Sequence, residues 1–277
     1  MCPQNSETAK KAYEALTAAT RETFPRRNMG ALTKAIDGEK LHAWIVQRVT
    51  ELRPGKPNKE IAGRLANELY WSFIDLQIAL CHVLFVYDTG DVHPGVNEVQ
   101  VNTIELPKLS TVDGLFWFYV SVAWEHVYRV WSRLENLLNF LIFGVEGKPT
   151  KDVPTHLDGI LTRIKMEQPD LAATREFTAM EGLAADRNQV AGERNKDSHI
   201  ESSPFASLDH TIEMSEIFQA SGDPSFKLHL KFPLAKDVER KLIEAYYKVD
   251  KPWGTSTMKL IDAACRLART KREPTSR

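Results

Sequence analysis

Between residues 112 and 143, Trp117, Val120, Trp124, Val127, Trp131, Leu134, Leu138 and Leu141 recur at steps of three and four. That is the period of an α-helix, and so broad an apolar stripe has to be buried. A second stripe, Leu65, Leu69, Phe73, Leu76, Leu80 and Val83, runs through residues 58–86. The tryptophan row reads as core packing rather than as a cofactor box. Two such helices predict a mainly all-α protein, an up-and-down bundle of long helices.

The remaining segments fit around that pair. Residues 5–24 predict a helix capped by Asn5 or Ser6, and residues 29–52 a second, with an interruption at Asp37-Gly38. Arg53-Pro54-Gly55-Lys56-Pro57 breaks it, and Asn58 is the expected cap of the helix that follows. Short strands are predicted at 98–106 and 226–232, where polar and apolar residues alternate, and they are expected to pair as a small accessory hairpin or strand pair. Further helices are predicted at 155–166, from 171 to about 200 with a possible break at Gly182, at 235–248 and at 255–269. Asp170 is the expected cap after the Gln168-Pro169 break.

Hydrophobic residues make up 43% and charged residues 26% of the 277, with a formal net charge of -1. No global positive field draws such a chain to nucleic acid, so any such contact requires a local basic patch. Cys2, Cys81 and Cys265 are far apart and odd in number, which fits neither a disulfide framework nor a metal cluster and suits a reducing cytoplasm. The two greasiest stretches are interrupted by Asp75, Gln77 and His82, and by Glu125, His126 and Arg129. Both are expected to be buried core helices with no membrane role. His82 and His126 read as satisfied core or boundary histidines. Glu39-x-x-His42 is a single copy of a spacing that di-iron bundles use twice, so neither a metal nor a cofactor is expected.

The run Glu193-Arg194-Asn195-Lys196-Asp197-Ser198-His199 differs from everything before it, because it has almost nothing apolar to bury. On a helix Arg194 and His199 diverge by about 140°, while Asn195 and His199 share a face. Arg187 and Asn188 stand seven residues before Arg194 and Asn195, so each pair repeats two turns apart along one strip. A histidine near neutral pH can take or give a proton, and an arginine fork can hold phosphate oxygens and steady charge on phosphorus. Those two residue types suffice for metal-independent RNA cleavage by attack of the 2′-hydroxyl. The same run also reads as a solvated helix end.

Arg194, Asn195 and His199, late in a helical chain, resemble the signature of the HEPN superfamily. Its ribonucleases carry an arginine, a polar residue that is often Asn, and a histidine a few residues on. The resemblance covers residues 58–203 as a HEPN-like bundle, with 1–57 an N-terminal helical extension and 204–277 a C-terminal strand and helices packing on it. Ile200-Glu201 departs from the variant in which a tyrosine follows the histidine. The resemblance implies an endoribonuclease of toxin–antitoxin or antiviral-defence type, cytoplasmic and homodimeric. RNA would be its substrate, with an antitoxin or regulatory protein as a partner. Arg194, His199 and Asn195 would be catalytic, and Arg187, Asn188 and Ser198 would bind substrate. The alternative is a non-catalytic helical module that binds nucleotides or other proteins.

Overall fold

The computed structural model describes residues 18, 22–23, 38–53, 56–92, 94, 96–101, 110–144, 156–198, 228–232, 234–249 and 253–272. The protein is mainly α-helical. In chain order the elements are α1 (Gly38–Leu52), α2 (Lys56–Thr89), β1 (Val96–Val101), α3 (Thr111–Phe143), α4 (Leu157–Glu167), α5 (Pro169–Ala172), α6 (Arg175–Glu181), α7 (Ala184–Ser198), β2 (Leu228–Phe232), α8 (Ala235–Lys248) and α9 (Gly254–Arg272). The expected helix over 5–24 and the loop over 204–224 fall outside the described residues, apart from helical positions 18, 22 and 23.

Two compact units share these elements, and neither is one continuous stretch of chain. One comprises residues 1–33, 77–125 and 192–244, the other 34–76, 126–191 and 245–277. In the first, the end of α2 runs antiparallel to the start of α3. His82 stacks on Tyr119 with ring centroids 4.7 Å apart, and Tyr87 meets Phe116 at 5.9 Å. A Cβ on Gly90 would collide with Val112 Cγ1, so only glycine allows this approach. Phe116, Trp117, Val120, Leu80, Val83 and Leu84 form the core here. The start of α3 is fixed by a capping box. The Ser110 hydroxyl accepts from Asp113 N at 3.2 Å, and Asp113 Oδ2 accepts from Ser110 N at 2.7 Å. In the same unit β1 pairs antiparallel with β2, Val99 opposite Leu230 and Val101 opposite Leu228. His82 corrects one expectation. It is buried, but its Nε2 has no hydrogen-bond partner, so it is not a satisfied histidine, and burial pushes its pKa below the usual value.

In the second unit the start of α2 and the end of α3 are again antiparallel, tied by Arg133 to Glu68 at 2.9 Å. α9 packs on α6 and α1, and α4 on α5 and α6. Ile160, Ile164, Phe177, Met180, Leu260 and Ile261 are buried. α9 is clamped to α1 by Arg48 Nε–Asp262 (2.7 Å) and Arg269–Glu51 (2.6 Å). Burial pushes the Cys265 thiol up to about 12, and Glu51 adds to the shift, so this cysteine is an inert packing group. Both described cysteines, Cys81 and Cys265, are free and buried.

Helix starts differ from expectation in two places. α2 begins at Lys56, and the Asn58 side chain donates to Arg53 O at 3.2 Å instead of capping a helix. Gln168, not Asp170, precedes the short α5, with Pro169 in its first turn, where the missing N–H costs nothing. By length and composition, residues Asn58–Thr89 do reach the threshold for a membrane span, contrary to the expectation from Asp75, Gln77 and His82. Of the most apolar window, 56% is buried inside the protein.

Candidate functional site

α7 carries Arg187, Asn188, Arg194, Asn195 and Ser198, and its first half is held by an unusual carboxylate. Glu135 lies on α3 within the run Leu134-Glu135-Asn136-Leu137-Leu138 and is buried to 3% exposure. A bare carboxylate there would cost several kcal/mol. Its Oε1 accepts three donors instead: Leu157 N at 2.8 Å, Trp131 Nε1 at 3.1 Å and Arg187 Nε at 3.2 Å. Burial pushes the Glu135 carboxyl up, while the Arg187 charge and these donors pull it back. Trp131 packs edge-on against Trp253, ring centroids 3.9 Å apart, and shields the cluster.

Arg187 is committed to this cluster. Besides Glu135, its Nη2 lies 2.6 Å from His156 Nδ1, and its guanidinium stands 5.6 Å over the Tyr128 ring. A guanidinium can only donate, so Nδ1 accepts and the His156 ring is neutral with its proton on Nε2. Burial and the Arg187 charge lower the His156 pKa, with Asp158 opposing. His156 is the residue that opens α4, so one polar cluster joins α3, α4 and α7. Lys248 reaches Asp186 at 2.7 Å and ties the same part of α7 to the end of α8.

The candidate residues therefore separate. Arg187 is 8% exposed and paired with Glu135, which corrects the expectation that it grips an RNA backbone from a solvent-facing strip. Leaving Glu135 to meet a phosphate would strand a buried carboxylate. Asn188 is exposed, and its Nδ2 lies 3.5 Å from Asp158 Oδ2. Arg194, Asn195 and Ser198 lie on the last turns of α7. Their side chains, and all of His199, fall outside the described residues. Glu135 and His156 are absent from the sequence-derived set. One signal did point to Glu135, a charged residue four positions after Trp131 in an otherwise apolar stripe. Among the described residues, no group of three or more His, Cys, Asp or Glu side chains is arranged to hold a metal ion.

No family model, curated protein or solved structure matches the chain.

Proposed function

We propose that the protein is a metal-independent endoribonuclease of HEPN type, whose site combines Arg194, Asn195 and His199 from two protomers. The observation that carries this reading is α7 itself. It is an unbroken helix from Ala184 to Ser198, held at Arg187 by Glu135, and Arg194, Asn195 and Ser198 lie on its last turns. A helix is a suitable mount for groups that must hold a phosphate in a fixed geometry. The mainly helical architecture also agrees with the resemblance.

In the proposed reaction, neutral His199 takes the proton of a 2′-hydroxyl. The freed oxygen attacks the adjacent phosphorus, and Arg194 stabilises the pentavalent state. The 5′-oxygen leaves with a proton from the partner's His199, giving a 2′,3′-cyclic phosphate and a 5′-hydroxyl. Asn195 orients the phosphate. A toxin or phage-defence role, restraint by an antitoxin and a cytoplasmic location belong to the same proposal.

The purified protein is expected to cleave single-stranded RNA in EDTA and to leave 2′,3′-cyclic ends. Cleavage that needs a divalent ion, or that leaves 3′-hydroxyl ends, would sink the mechanism.

The second reading is a non-catalytic interaction module. Leu115 and Phe118, three apart on α3, favour it, being 45% and 60% exposed. Neighbouring exposed apolar groups on one helix face are a usual mark of a binding surface. A stable complex that forms without any RNA cleavage would support it.

A further inference from the structure

Where α3 ends, two arginines from other elements converge without a full set of acceptors. Arg53, just past α1, reaches across to donate from Nη2 to Ile142 O at 2.5 Å. Its guanidinium lies against Gly144, which has φ +72°. A Cβ there would stand 3.1 Å from Arg53 Cζ and Nη1 and 3.3 Å from Nε, so the arginine occupies the space that a larger residue would fill. Arg163, from α4, stands 4.2 Å over the Phe143 ring and donates from Nε to Glu167 at 2.7 Å.

The bond to Ile142 is what a cation at a helix C-terminus is expected to make. It does not explain the rest. Arg53 Nε and Arg163 Nη1 are both buried and have no hydrogen-bond partner. A buried donor left unmade costs about 1–3 kcal/mol, more on a charged group. Burial, together with the nearby Arg163 charge, holds the Arg53 pKa below its ordinary value, as expected for like charges brought close. Among the described residues, Glu167 is the one carboxylate paired with the two guanidinium groups, and its side chain is 48% exposed. Positive charge and two buried, unpartnered N–H groups therefore remain near the C-terminal end of α3.

We propose that Arg53 and Arg163 form a binding site for a phosphate-type oxyanion at the C-terminal end of α3. Two planar forks on separate elements suit a tetrahedral anion, whose several oxygens take donors from different directions. A free phosphate and the phosphodiester of a nucleic-acid strand present the same chemistry. The site stands independently of the nuclease reading, since none of its residues belongs to the motif on α7.

The test is a titration of the full chain with inorganic phosphate, at ionic strength held constant with chloride. It is read by NMR at the Arg53 and Arg163 Nε–H signals and the Gly144 amide. Saturable shifts with a Kd on the order of 1 mM are expected. Arg163→Gln should weaken binding at least about tenfold, the cost of losing one charged hydrogen bond. Arg163→Lys keeps the charge but not the fork and should fall between. A dinucleoside monophosphate that binds at least as tightly as phosphate identifies a nucleic-acid backbone as the source. Binding of inorganic phosphate alone identifies the free anion. No saturable shift in the wild type, or an unchanged Kd in Arg163→Gln, overturns the site.

Discussion

Arg187 and Arg194 are the same residue type on the same helix, seven positions apart, yet the first belongs to the core and the second to the proposed chemistry. Arg187 has Glu135, His156 and the Tyr128 ring around it. Arg194 lies in a run with almost no apolar side chains. The lesson is that helical repeat alone does not assign a role to an arginine. A carboxylate 52 residues away in the chain does so for Arg187.

Substitutions on the two halves of α7 should therefore fail differently. The largest stability effect is expected for Arg187→Ala, which strands a buried Glu135 and should cost about 3–5 kcal/mol in denaturant unfolding. Adding Glu135→Ala should recover part of that loss, because the residues are coupled. Full additivity would show that the pair does not anchor the helix. Arg194→Ala should leave unfolding within about 0.5 kcal/mol of wild type and slow RNA cleavage by roughly 10²–10³-fold. A large stability loss with unchanged cleavage would reverse the two roles.

The His156 contact makes the anchored half pH-sensitive. Its folded pKa lies below the ordinary histidine value of 6.5, so the unfolded chain binds that proton more readily. Its contribution is present above pH 6.5 and is lost as pH falls through the folded value. The raised pKa of Glu135 acts with the opposite sign in acid. The informative comparison is thus wild type against His156→Gln, and the variant should show a shallower loss of stability below pH 6.5. Identical pH profiles would remove His156 from the anchor. The smallest effect is expected for Asn188→Ala. Among the described residues this exposed side chain makes one long contact, so unfolding should change by less than about 0.5 kcal/mol. A bigger change would mean that the exposed side of α7 also holds the helix.

Much of the helical framework was legible in the chain. The 112–143 stripe predicts α3 to within one residue at its start, because eight large apolar residues in one register leave no other period. Around α5 to α7 the reading is poorer. Thr174 caps α6 by accepting from Phe177 N, yet in Ala172-Ala173-Thr174-Arg175-Glu176 nothing interrupts a helix pattern. Local propensity is satisfied there either way, and tertiary packing sets the break. The candidate site was legible only as residue types. Arg187 and Arg194 have the same letter, and what marks Arg187 as buried is a partner on another helix.

The nuclease account rests most directly on His199. The decisive measurement is the rate of RNA cleavage in EDTA by His199→Ala, beside its melting temperature. Loss of a general base predicts a fall of at least about 10²-fold with the melting temperature unchanged. Cleavage at the wild-type rate by a folded His199→Ala protein would contradict the account.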